Sequence, residues 1–84
     1  MNPLPPLHSF LRVLVADASG MAPQQVGMHD RLVEDLRIDS LEMAGMLVQI
    51  ENDLGIALDA GTVKSIQTVQ QLETAVAKCM AERA

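Results

Sequence analysis

The sequence predicts a small all-α domain: a four-helix bundle of three main helices plus one short helix, with a long first loop. Three observations predict it. Apolar residues recur at helical spacing in three separate stretches. Helix-start signals of the capping-box type stand before two of them, at Asp39 with Glu42 and at Thr68 with Gln71. No stretch alternates apolar and polar residues as a half-buried strand would, and there is no internal repeat or low-complexity tract.

The elements follow in order. Residues 1–6 hold three of the four prolines and are expected to be a flexible leader, with Pro5 or Pro6 near the first helical turn; the domain proper is expected over 7–84. Leu7, Phe10, Leu11, Leu14, Val15 and Ala18 form one apolar stripe, closed by Ser19-Gly20. Residues 19–38 lack clear periodicity and contain Gly20, Pro23 and Gly27. A connection this long inside a compact domain is unusual and tends to carry function. Val26, Leu32, Val33, Leu36 and Ile38 are expected to pin it across the helices. A second helix runs from about Ser40 to Leu54, with Asp39 as its N-cap and Gly55 as its stop. Asp59 caps one short turn through about Val63, and Val69, Leu72, Val76 and Met80 give the last helix its stripe.

Composition narrows the function. The chain has 84 residues, enough for one domain with a thin core. Hydrophobic residues make up 49%, but Phe10 is the only aromatic, so the core must be aliphatic, which argues against a stacking platform for single-stranded nucleic acid. The net charge of −5 opposes nucleic-acid binding, because phosphate is repelled, and favours partners with basic patches. The single Cys79 excludes an intrachain disulfide and a cysteine zinc site, and His8 and His29 lack metal-ligand spacing, so no metal is expected. The six methionines are expected to be core filler. No apolar run reaches the length of a membrane span, and the first residues do not read as a signal peptide. No membrane insertion and a cytoplasmic location are expected.

The second helix has two apolar faces. Met43, Leu47, Ile50 and Leu54 form the stripe expected to face the core. Leu41, Gly45, Val48 and Asn52 repeat that spacing on another face. Either residues 19–38 cover that second face, or Leu41 and Val48 are exposed beside Glu42, Glu51 and Asp53 as a docking strip edged with carboxylates. Charge is concentrated in the same region: residues 34–59 carry seven acidic groups against Arg37 alone. A solvated surface would suffice to explain this, but its concentration around one helix favours a face that meets a partner.

The segment Glu34-Asp35-Leu36-Arg37-Ile38-Asp39-Ser40-Leu41-Glu42 resembles the modification site of the acyl carrier proteins, whose pattern reads roughly E-D-L-G-x-D-S-L. The likeness continues without gaps from about Val26 to Gln70, including Leu32-Val33 ahead of the motif, Glu51, and Ile66-Gln67-Thr68-Val69-Gln70. A lone D-S-L tripeptide is weak; the frame, helix order, size and charge together are specific. The resemblance implies that a phosphopantetheinyl transferase moves 4′-phosphopantetheine from coenzyme A onto Ser40, flanked by Asp39 and Leu41, and that the arm's thiol carries acyl groups as thioesters. Ser40 opens a helix, where free N–H groups and the positive dipole end tolerate a phosphodiester. The plainer role for such a serine is a cap or first-turn residue.

The same resemblance implies a free-standing, monomeric carrier with no catalytic residue of its own. Its partners would be acyl-loading, synthase and transferase enzymes that meet Arg37, Leu41, Glu42, Val48, Glu51 and Asp53. The space between the helices, lined by Met43 and Met46, would shelter a short acyl chain. Two positions depart from the family. Arg37 stands where glycine is usual and Gly45 where an acid is common, which makes a carrier dedicated to a polyketide or other specialised pathway as reasonable as one for fatty acids. Arg37 is expected to be exposed, to pair with Asp35 or Asp39, contact the prosthetic phosphate or discriminate between partners, and to matter little for folding. A peptidyl carrier is the nearest rival, although Arg37-Ile38 lacks the Gly-Gly usual there; an unmodified helical adaptor is a rival of another class. A hydrolase triad of Ser40, His29 and Asp39 has no nucleophile elbow and little room for a pocket.

Overall fold

A computed structural model describes residues 7–83. The leader expected over residues 1–6 lies outside them. Helix α1 spans Leu7–Ser19, α2 Ser40–Leu54, α3 Ala60–Ser65 and α4 Val69–Arg83, with one 3-10 turn at Pro23–Gln25 in the first connection. Three main helices and one short helix are thus present. Among the described residues there is no strand, only an isolated bridge between Arg31 and Thr68.

The helix ends follow the predicted chemistry. Gly20 takes a left-handed conformation (φ 75°), which lets the Met21 N–H reach the Ala16 carbonyl at 3.0 Å and stops α1. The Asp39 carboxylate accepts from the Glu42 N–H at 2.7 Å, and Gly55 closes α2 in the left-handed region. Asp59 accepts from the Thr62 N–H at 2.6 Å, and this bond holds the Asp59 carboxyl below the usual carboxylate range. Thr68 and Gln71 form a reciprocal box: the Gln71 N–H donates to the Thr68 hydroxyl, and the Thr68 N–H to the Gln71 side chain, both at 3.1 Å.

The core is aliphatic. Leu11, Leu14 and Val15 of α1 meet Met46 and Ile50 of α2 and Val69, Leu72 and Val76 of α4. The buried line of α2 differs from the expected stripe. Met46 and Ile50, one turn apart, are its buried residues, while Met43, Leu47 and Leu54 are only half-buried around them. Ile50 of the expected stripe is fully enclosed, and Met46 extends the apolar arc by one edge that the stripe did not include. A polar chain also ties α1 to α4. Arg12 can only donate, so His8 accepts at Nε2 (2.8 Å) and donates from Nδ1 to Glu73 (3.0 Å).

The first connection is packed rather than loose. Val26, Leu32, Leu36 and Ile38 are buried, as expected, but Val33 is 57% exposed and pins nothing. Residues 31–36 form a single helix-like turn, with the Asp35 and Leu36 N–H groups both donating to the Arg31 carbonyl. Leu32 and Leu36 therefore share its inner face, and Val33 points away. The backbone clamps the turn to the start of α4: the Leu32 N–H donates to Gln67 (2.8 Å) and the Val69 N–H to Asp30 (3.1 Å).

Candidate functional site

Ser40 is the first residue of the 15-residue helix α2 and is exposed. Asp39, just before it, occupies the Glu42 N–H. Among the described residues nothing hydrogen-bonds the Ser40 hydroxyl, and the Ser40 and Leu41 N–H groups are free as well. The hydroxyl is thus accessible at the positive end of a long helix, which leaves two unused backbone donors beside it. Ser40 is not the cap; Asp39 is.

Arg37, three residues earlier, is the one non-glycine among the described residues with positive φ, at 60°. This left-handed turn ends the 31–36 segment, lets the Ile38 N–H reach the Leu32 carbonyl at 3.0 Å, and buries both Leu36 and Ile38. The expected pairing with Asp35 or Asp39 is absent. Asp35 is held by Arg31, through its backbone N–H at 2.8 Å and its guanidinium at 3.3 Å, and Asp39 by the α2 cap. Those bonds hold the Asp35 carboxyl low and the Arg31 guanidinium high. Among the described residues Arg37 makes no ion pair.

The second face of α2 is open to solvent. Leu41 is 83% exposed and Val48 53%, with Gly45 and Asn52 exposed between and beyond them. The connection 19–38 does not cover this face. Glu42 and Asp53 are exposed beside it. Glu51 is half-buried, and its carboxylate accepts from the Leu58 N–H at 2.8 Å, which ties α2 to the segment leading into α3. That structural bond was not legible in the spacing. Two hollows remain. A groove of about 300 Å³ runs between α1 and α2 over Leu14 and Met46; Met43 does not line it. A larger open groove of about 860 Å³ lies along α3 and α4, where the half-buried Cys79 thiol donates to the Ala57 carbonyl at 3.3 Å.

Known proteins match this sequence. The family model for the phosphopantetheine attachment site matches residues 9–76. An acyl carrier protein of Renibacterium salmoninarum is 30% identical over 71 residues, covering 84% of this chain and 88% of that protein. An acyl carrier protein of Thermotoga maritima is 24% identical over 72 residues, covering 86% and 89%. Acyl carrier protein MbtL of a Mycobacterium species is 33% identical over 70 residues, covering 83% and 79%. The chain belongs to the acyl carrier protein family.

An acyl carrier protein needs a hydroxyl that can bear a phosphodiester, and this fold offers one. Ser40 is exposed, its oxygen is unengaged among the described residues, and the neighbouring N–H groups and helix dipole favour an anion. Among the described residues no helix is long and apolar enough to cross a membrane.

The Arg37 backbone bears on folding as well as on charge. A left-handed conformation costs a residue with a Cβ about 1–2 kcal/mol, and the greater freedom of glycine in the unfolded chain takes back about 0.5–1 kcal/mol. Arg37→Gly is therefore expected to raise the stability of this carrier by up to about 1.5 kcal/mol, read as a higher urea midpoint at unchanged slope. Arg37→Ala, which removes the charge and keeps the strain, should show no such gain. A glycine variant about 0.5–1 kcal/mol less stable than the alanine variant, the full entropic cost of glycine with no strain relieved, would show that the backbone at this position is not strained.

Proposed function

We propose that this acyl carrier protein holds acyl intermediates as thioesters on a 4′-phosphopantetheine arm joined to Ser40, and presents them to the enzymes of a fatty-acid, polyketide or other specialised pathway. The observation that carries this reading is the free, exposed hydroxyl at the first position of α2 inside the Asp39-Ser40-Leu41 motif. The protein is a substrate-bearing partner rather than a catalyst. Nothing among the described residues activates Ser40, so a phosphopantetheinyl transferase must supply that chemistry. The test is the intact mass after incubation with coenzyme A and a broad-specificity transferase. One phosphopantetheine should be gained; no gain with several such transferases would favour an unmodified adaptor.

Docking runs along the exposed face of α2. Leu41 and Val48 supply apolar contact, and the exposed Glu42 and Asp53 supply charge for a basic partner, with Glu51 adding charge from its tie to Leu58. Glu42→Lys should slow arm transfer several-fold at low salt, and the gap to wild type should close as salt screens the attraction over about 8–10 Å. Helicity should persist, because Asp39 caps the Glu42 backbone N–H, which lysine keeps. Wild-type rates and salt dependence in this variant would remove α2 as the docking edge.

Arg37 sets one cation in this acidic surface and repels a basic partner group at that point, so a cognate enzyme needs a carboxylate or a gap opposite it. The Arg37→Gly protein reads this too: it should turn over better with generic fatty-acid enzymes and worse with its native partner. Unchanged turnover with both would exclude discrimination at this residue.

A further inference from the structure

We infer that the groove between α1 and α2 is a socket for one arginine side chain of a partner enzyme, with Asp17 as a recognition residue on α1; this deepens the docking reading above and rests on it. The groove is open at the surface and holds about 300 Å³. Its walls come from two helices. Leu14 and Asp17 stand on α1, and Leu41, Glu42, Met46 and Gln49 on α2. Leu41 and Glu42 also belong to the exposed docking face, so the groove carries that face past the edge of α2 and onto α1.

The chemistry of the lining selects the occupant. Leu14 and Met46 are buried and form an apolar floor, which the exposed Leu41 extends. One carboxylate stands on each wall, Asp17 on α1 and Glu42 on α2, and both residues are exposed. Among the described residues neither carboxylate has a hydrogen-bond or ion-pair partner. Gln49 adds an amide oxygen that can accept a further bond. The two carboxylates repel an anion, and a wholly apolar side chain leaves them both unpaired. Lysine brings charge, but its compact, strongly hydrated ammonium acts as a single point. Arginine answers each part of the site. Its methylene stem lies along the apolar floor, and its planar guanidinium spreads five N–H donors toward acceptors on both walls. A volume at the small end of ligand pockets admits one long side chain and no stretch of backbone.

Gly45 supplies the second argument. Glycine in mid-helix is unfavourable, and nothing in the fold demands it here. Its φ is not positive, and a Cβ built at Gly45 meets nothing within 4 Å. Gly45 lines the same groove, between Glu42 and Gln49 along α2. The missing side chain leaves the middle of the groove open for the stem of the incoming residue. A leucine at this position would project into that space and keep both carboxylates.

The experiment titrates nitrogen-15-labelled protein at low salt with a capped tetra-alanine peptide bearing one central arginine, and with its lysine counterpart. The arginine peptide should move the amide signals of Asp17, Ala18, Gly45 and Gln49 and leave those along α4 in place. The lysine peptide should bind several-fold more weakly. Asp17→Asn should weaken the arginine peptide several-fold, and that loss should shrink as salt screens the attraction over about 8–10 Å. Gly45→Leu, at an exposed helical site that needs no repacking, should lose the binding although no charge has changed. Glu82→Gln, which removes an exposed acid from α4, should bind like wild type. Equal affinity for the two peptides, or wild-type binding by Gly45→Leu, would overturn the socket. The carrier reading is scored separately, by the intact mass of the wild-type protein after transfer from coenzyme A. Full gain of the arm without a preference for arginine removes the socket alone, and no gain of the arm removes the carrier reading and the inference with it.

Discussion

Ser40→Ala is expected to gain no phosphopantetheine under conditions that convert the wild-type protein fully. The chain has four serines, and their surroundings separate them. The hydroxyls of Ser19 and Ser65 donate to the carbonyls of Ala16 (3.2 Å) and Thr62 (2.8 Å) in their own helices. An acceptor phosphate there would have to break that bond. Ser9 is exposed in the first turn of α1, so it shares one property with Ser40. Two things set it apart: no acidic residue precedes it in the sequence, and the flanking His8 and nearby Arg12 are already tied to each other and to Glu73. Ser40 combines exposure, a free hydroxyl, two unused N–H groups and the acidic edge of α2 on which a basic transferase can settle. Ser9→Ala should therefore be modified like wild type. Residual mass gain in Ser40→Ala, lost only when Ser9 is also replaced, would move the attachment point to α1.

The helices and their caps were legible because each is specified by local chemistry. Asp39, Asp59 and the Thr68–Gln71 box do in the fold what their side chains can do in isolation. The exposed second face of α2 was half legible. Its spacing was plain, but whether residues 19–38 covered it depended on tertiary packing, which the structure decides in favour of solvent. The connection was the least legible part. Apolar residue types marked it as packed, yet with no period there was no phase, so Val33 looked like its neighbours. The single turn at 31–36 supplies the phase: Leu32 and Leu36 are four apart and turn inward together. Arg37 hid its role in a different way. The glycine usual at this place in the resembling family was a signal of positive φ, while arginine suggested only charge. Glu51 likewise looked like a docking carboxylate, and its bond to the Leu58 N–H spans seven residues that no helical spacing relates.

Leu32→Ala is expected to destabilise the protein by about 2–5 kcal/mol, the usual effect of emptying a buried leucine site. A domain of this size holds only about 5 kcal/mol or somewhat more in total, so the variant should melt at least about 10 °C lower. The site is a severe one for two reasons. The side chain is fully enclosed, among the largest such groups in the core. Its backbone N–H and carbonyl are also both engaged, with Gln67 at 2.8 Å and Ile38 at 3.0 Å, so the chain cannot slide inward to fill the space. Val33→Ala, one residue on and largely in solvent, should change stability by no more than about 0.5 kcal/mol. The pair separates packing from composition, since both remove apolar bulk from adjacent positions of the same connection. Leu32 also bears on function, because the 31–38 turn delivers the chain into Asp39 and Ser40. Below its melting temperature Leu32→Ala should still accept the arm, more slowly as the turn loosens. Equal melting temperatures for the two variants would mean that the connection does not hold the start of α2 in place, and that Ser40 is positioned by α2 alone.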